Sequence, residues 1–129
     1  MITIEEYLMG RAELYPDEWK PEYRDNAAGL LEAVNGLLAE LGDPKVRVSS
    51  GYRPPSVNRK IKGAALHSNH TTAHAVDIAD PDRRFARLLI RNLPILERRG
   101  LYLENPGRTK GWVHLQNIAP KSGRRVFDP

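Results

Sequence analysis

The chain has 129 residues and a mass of 14.6 kDa, enough for one domain with a buried core and too short for two. Hydrophobic residues make up 40% and charged residues 28%, which excludes a disordered or fibrous chain. Cysteine is absent, so disulfides, thiolate zinc sites, iron–sulfur clusters and cysteine nucleophiles are ruled out, and any metal has to be held by His, Asp or Glu. Lys and Arg number 20 against 16 acids, a net charge of +4. These basic residues are interleaved with acids along the predicted helices, which favours a solvated surface and no nucleic-acid partner. No stretch reaches the roughly 20 apolar residues of a membrane span, and Met1-Ile2-Thr3-Ile4-Glu5-Glu6 lacks the basic-then-apolar pattern of a secretory signal. The expectation is a monomer without a membrane or an export address.

Thr3-Ile4-Glu5-Glu6 fits a capping box and predicts a short first helix, weakened or ended at Gly10. From Pro21 to Leu41, apolar residues at Ala27, Leu30, Leu31, Val34, Leu37, Leu38 and Leu41 follow the spacing of one helical face and predict the main core helix. Gly42-Asp43-Pro44 stops it. Val46 to Ser50 reads as a strand running into the turn Gly51-Tyr52-Arg53-Pro54-Pro55, with a short helix over residues 56–61. Ala73 to Ala79 reads as a buried strand closed by Asp80-Pro81-Asp82. A second long helix directs Phe85, Leu88, Leu89, Leu93 and Leu96 inward, and Pro94 should kink or restart it before Gly100. Leu101 to Glu104 and Trp112 to Gln116 predict two hairpin strands. With residue 103 opposite 113, a period of two places Tyr102, Glu104, Trp112, His114 and Gln116 on one face, leaving Leu101, Leu103, Val113 and Leu115 for the core. The residues after Ala119 read as a surface extension. The fold class is α+β, a small antiparallel sheet with helices on one face and a cleft on the other.

The histidines are His67, His70, His74 and His114, three of them close to Asp77. His70 stands seven residues before Asp77 at a loop–strand junction, and His114 lies on a distant strand with a polar face. Two ligands from the junction and one from another strand would fill three corners of a tetrahedron and leave one open, as in catalytic zinc sites. Hydrogen-bonded structural histidines are the other reading, and these residues alone leave both open.

A wider pattern bears on the choice. Ser50-Gly51-Tyr52-Arg53, then Asn58, then Ser68-Asn69-His70 through His74-Ala75-Val76-Asp77, and finally Trp112-Val113-His114 resemble the zinc peptidases of bacterial cell-wall peptides. These are the D-alanyl-D-alanine carboxypeptidases and L-alanyl-D-glutamate endopeptidases, related in fold to the hedgehog domain. The resemblance spans residues 46–116 of a single domain over 1–129, with 119–129 left as the extension. It implies that His70, Asp77 and His114 bind zinc, while His67 and His74 fall outside the ligand positions. By alternation, His74 points away from Asp77. It implies too that Arg53 sits beside the site and holds the substrate carbonyl or the developing oxyanion; a solvated turn arginine is the alternative, and Gly51 with the two prolines favours the site. Ser68 either bonds at the rim or caps its loop, and Trp112 is expected among the substrate contacts.

The expected reaction is hydrolysis of a peptidoglycan amide, with zinc polarising the carbonyl and activating water while a carboxylate shuttles the proton. Many members of the family place that carboxylate three residues before the last histidine, where this chain has Gly111. Glu104 is the best replacement, because the hairpin puts it on the face of His114; an exposed hairpin carboxylate is the alternative. Ala73 replaces a family glycine and would be strained if its φ is positive. The expected location is cytoplasmic or phage-associated, acting on the wall. A zinc-containing wall-binding module with weakened catalysis is the alternative to an enzyme.

Overall fold

The computed structural model describes all 129 residues. The Thr3 hydroxyl accepts from the Glu6 amide and the Glu6 carboxylate accepts from the Thr3 amide, so the capping box forms and opens α1 (Ile4–Leu8). A helix of four residues follows, α2 (Arg11–Leu14), too short to carry a periodic signal. The core helix α3 spans Pro21–Glu40, and Gly42 with Asp43, both at positive φ, turn the chain out of it. The predicted helix after the turn shrinks to α4 (Pro55–Asn58). The second long helix is two, α5 (Arg84–Ile90) and α6 (Leu93–Arg98), with Pro94 in the first turn of α6 as its restarting effect predicts. The Asp80 carboxylate accepts from the Phe85 and Ala86 amides and holds the start of α5.

The strands are β1 (Val48–Ser50), β2 (Ala75–Ala79), β3 (Tyr102–Glu104), β4 (Trp112–Gln116) and β5 (Val126–Phe127), in the sheet order β1-β2-β4-β3-β5. β1, β2, β4 and β3 are antiparallel neighbours, whereas β5 lies parallel to β3. The sheet is therefore mixed, which corrects the expectation of a wholly antiparallel one. It also corrects the reading of residues after Ala119 as a surface extension: the Leu103 amide donates to Arg125 O and the Asn105 amide to Phe127 O, and Phe127 is buried. A strand of two residues has no alternation to betray it.

The hairpin register differs too. Leu103 opposes Leu115 and Tyr102 opposes Gln116, a slip of two positions from the expected pairing, because a 3₁₀ turn over Pro106–Arg108 makes the connection asymmetric. A slip of two preserves which side chains share a face. One face of the sheet sends Val76, Ile78, Leu103, Val113 and Leu115 into a core shared with Leu30, Val34, Leu37 and Leu38 of α3, Phe85 and Leu89 of α5 and Leu96 of α6. Full burial of each such side chain stabilises by about 1.5–3 kcal/mol, so the strands cannot turn over. Asp77 and His114 are thereby committed to the opposite face.

Candidate metal centre

Asp77 opposes His114 in the ladder between β2 and β4. His70 comes from the loop before β2, and its backbone is tied at both ends: its amide donates to Ser68 Oγ and its carbonyl accepts from the Arg53 amide. Ala73, at φ 63, turns the loop back into the sheet. One potential ligand atom from each of His70, Asp77 and His114 lies within 4.8 Å of the others. His70 Nε2 is 3.2 Å and His114 Nδ1 2.9 Å from the same oxygen, Asp77 Oδ1. Ligands about 2.0–2.1 Å from zinc in a tetrahedron lie about 3.3 Å apart, so these separations fit that ion.

The hydrogen bonds decide which nitrogens are free. His70 Nδ1 lies 2.8 Å from Gly51 O, an acceptor only, so Nδ1 carries the proton and the buried Nε2, which has no hydrogen-bond partner, turns its lone pair toward Asp77. His114 Nε2 lies 2.8 Å from Gln116 Oε1, and its Nδ1, 2.9 Å from Asp77 Oδ1, is the nitrogen that faces the cluster. Two imidazoles converging on a buried carboxylate require positive charge between them, as ring protons donated to Asp77 or as a cation in their place. Burial alone would raise the Asp77 pKa, but hydrogen bonds and charge from His114 and His70 outweigh it and hold the carboxyl well below its usual range. Burial pushes the His70 pKa down. For His114 burial acts in that direction too, but the Asp77 hydrogen bond and charge prevail and raise it.

A cleft of about 540 Å³ opens over these groups, lined among others by Arg53, Ser68, Glu104, Arg108 and Trp112. The model of the family Peptidase M15 matches residues 14–116. The chain belongs to the peptidase M15 family. This family is one of zinc-dependent metallopeptidases acting on peptides, and the His-Asp-His donor set of this M15 chain suits zinc. No curated protein and no solved structure matches the chain. No helix is long and apolar enough to cross a membrane.

The M15 cleft gathers most of the residues singled out in the sequence. Arg53 is buried, with Nη1 3.1 Å from Asn58 Oδ1 and Nη2 3.5 Å from Asp77 Oδ2; Asn58 in turn donates to Ala65 O at 2.8 Å. The Arg53 Nε is buried without a partner. The Ser68 hydroxyl caps the loop at the His70 amide, and the residue lines the cleft. Trp112 lies exposed on the cleft wall. Continuing the β3–β4 register sets Glu104 opposite His114, and burial, the largest influence, raises its carboxyl pKa. Gly111 adopts φ 98, a left-handed turn that disfavours an acid there. His67 lines the cleft outside the metal cluster, and His74 precedes β2 and bonds to Thr72 Oγ1.

Other functional candidates of this M15 chain carried little or no signal. Gln116 shares the face of His114, a placement the alternation showed, but nothing in the sequence gave it a partner. Phe127, whose ring stands edge-on to His114 with centroids 6.3 Å apart, and Pro129 in the cleft wall depend on β5, which only the folded chain reveals.

Proposed function

We propose that this M15 peptidase hydrolyses an amide bond in the stem peptides of bacterial peptidoglycan, as a D-alanyl-D-alanine carboxypeptidase or an L-alanyl-D-glutamate endopeptidase, and that it acts as a phage-associated monomer. The observation that carries the reading is the convergence of His70 Nε2 and His114 Nδ1 on one oxygen of Asp77 beneath an open cleft. His70, Asp77 and His114 hold the zinc. Zinc supplies Lewis-acid activation of water and of the amide carbonyl.

The protein's own groups do the rest. Glu104 accepts a proton from the attacking water and delivers it to the nitrogen of the leaving amine, and its raised pKa suits the delivery. Arg53, fixed by Asn58 and Asp77, offers its permanent charge to the oxyanion that develops on the substrate carbonyl. Ser68 and Trp112 contact the peptide at the rim. Lys62 and Arg108 on the cleft wall complement the carboxylates that stem peptides carry.

The test is incubation of the zinc-loaded protein with peptidoglycan fragments, followed by mass spectrometry. Cleavage by the wild type and its loss in Asp77→Asn and His114→Ala, together with bound zinc, is the expected result. Glu104→Gln should retain zinc and lower kcat by about 100- to 10,000-fold; unchanged turnover refutes the assignment of Glu104. The substitution of Gly111 for the usual family carboxylate favours a second reading, a zinc-containing module that binds the wall without cutting it. Retention on peptidoglycan with no product from the wild type would establish that reading instead.

A further inference from the structure

We infer that the groove between α5 and the 3₁₀ turn is a binding site for a linear polyanion, a polymer of short polyol units joined by phosphodiesters. The groove has a volume of about 280 Å³ and is lined by Arg83, Ala86, Arg87, Ile90, Arg91 and Pro106. It shares no lining residue with the cleft over the metal centre, so the inference does not depend on zinc. Residues 83–99 hold six arginines and no lysine. Arg84 pairs with Asp82, and Arg98 and Arg99 pair with Glu40. The other three are those of the groove, and none of them has a carboxylate partner. The Arg83 guanidinium donates to Pro106 O and that of Arg87 to Asp82 O at 3.2 Å, backbone contacts that hold the side chains without cancelling their charge. The Asp82 carboxylate itself is engaged by the guanidinium and amide of Arg84.

The arrangement selects the occupant. The Arg87 amide donates to Arg83 O and the Arg91 amide to Arg87 O, so the three arginines follow one another a helical turn apart, at about 6 Å. Phe85 and Leu89 are buried on the other side of α5, which commits this row to the surface. A guanidinium meets phosphate or carboxylate as a two-pronged donor, and a row of them calls for a ligand whose anions repeat. Between the prongs the floor is apolar, made by Ala86, Ile90 and Pro106. An acidic peptide would bring an N–H at every residue to side chains that only donate or are apolar, leaving those groups unpaired. A single-stranded nucleic acid would need aromatic faces for its bases, and the groove has none. A polyol phosphodiester sets methylene groups on the floor and phosphates in the prongs, and carries neither amides nor bases. Seated there, it anchors the protein and leaves the cleft free.

The experiment measures binding of the full chain to fluorescently labelled poly(glycerol phosphate) by anisotropy over a range of salt concentrations. Arg87→Gln with Arg91→Gln removes two charges from the groove, and Lys121→Gln with Arg124→Gln removes two from the C-terminal segment as the control. Ile90→Asp places an acid on the floor and keeps every arginine. All five side chains are exposed, so the substitutions leave the core intact. Wild type and control should bind comparably, while the double groove variant binds about 10-fold more weakly and with a shallower dependence on salt; Ile90→Asp should weaken binding too. An equal loss in the groove and control variants overturns the inference. So does the absence of binding by the wild type, or equal or tighter binding of polyglutamate or oligothymidylate carrying the same number of charges.

Discussion

Gly51→Ala tests how tightly the turn beneath the site is built. A Cβ at Gly51 would stand 1.8 Å from Tyr7 O and 2.7 Å from Tyr7 C, and both are backbone atoms at the end of α1, so no rotamer change relieves the clash. The turn and the helix end must separate by more than about 1 Å to reach ordinary contact. That displacement breaks the hydrogen bond from the Tyr52 amide to Tyr7 O, 3.1 Å long. Losing the bond costs about 1 kcal/mol, and stranding the amide in the interior adds about 1–3 kcal/mol, for a total of about 3 kcal/mol. In a domain of this size that lowers the thermal midpoint by roughly 10 °C. The same movement draws Gly51 O away from His70 Nδ1, now 2.8 Å apart, so zinc affinity should fall by about 10-fold or more. Thermal denaturation followed by circular dichroism, paired with a zinc titration, measures both. Gly29→Ala is the control: it lies within α3, where a Cβ meets nothing within 4 Å, and should raise stability by about 0.5–1 kcal/mol. A midpoint for Gly51→Ala within about 2 °C of wild type would show that the close approach to Tyr7 is not a real constraint.

Zinc at 100 times its dissociation constant should stabilise the wild type by about 2.7 kcal/mol, a rise in thermal midpoint that a chelator reverses and that Asp77→Asn does not show. Ala73 sits at φ 63 in the core; Ala73→Gly relieves about 1–2 kcal/mol of strain but adds chain flexibility and loses a buried methyl, so its stability should stay within about 1 kcal/mol of wild type. A larger loss in denaturant titration would show that the methyl outweighs the strain. The Ser56 side chain and amide donate to the Glu18 carboxylate and hold its pKa below the usual value. Stability from this contact is present above the ordinary carboxylate pKa and drains away as pH falls through the depressed one; Glu18→Gln should flatten that part of the stability–pH profile, and an unaltered profile would refute the linkage.

The sequence carried the site further than it carried the sheet. Helix α3 is legible because twenty residues give its apolar stripe several turns in which to repeat. Glu104 and His114 share a polar face by alternation alone, and that inference survived a register slip of two residues, whereas the place of Asp77 opposite His114 depends on the pairing of β2 with β4. The slip itself was hidden, because the 3₁₀ turn at Pro106–Arg108 depends on Asn105, whose side chain accepts from the Gly107 amide, a local geometry that counting loop residues does not supply. Strand β5 was hidden for another reason: its pairing with β3 joins segments distant in sequence and needs no pattern of its own. Gln116 was placed correctly but left without a role, since an amide declares its function only when both of its ends have partners.

Because Asp77 and His114 face one another across paired strands, their spacing belongs to the ladder between residues 75–79 and 112–116 and not to any loop. The walls of the cleft are loop residues such as those of 61–69 and 105–111. Such walls can be lengthened, shortened or recharged, changing which peptide is admitted, while the distance between those two ligands stays where the backbone pairing puts it.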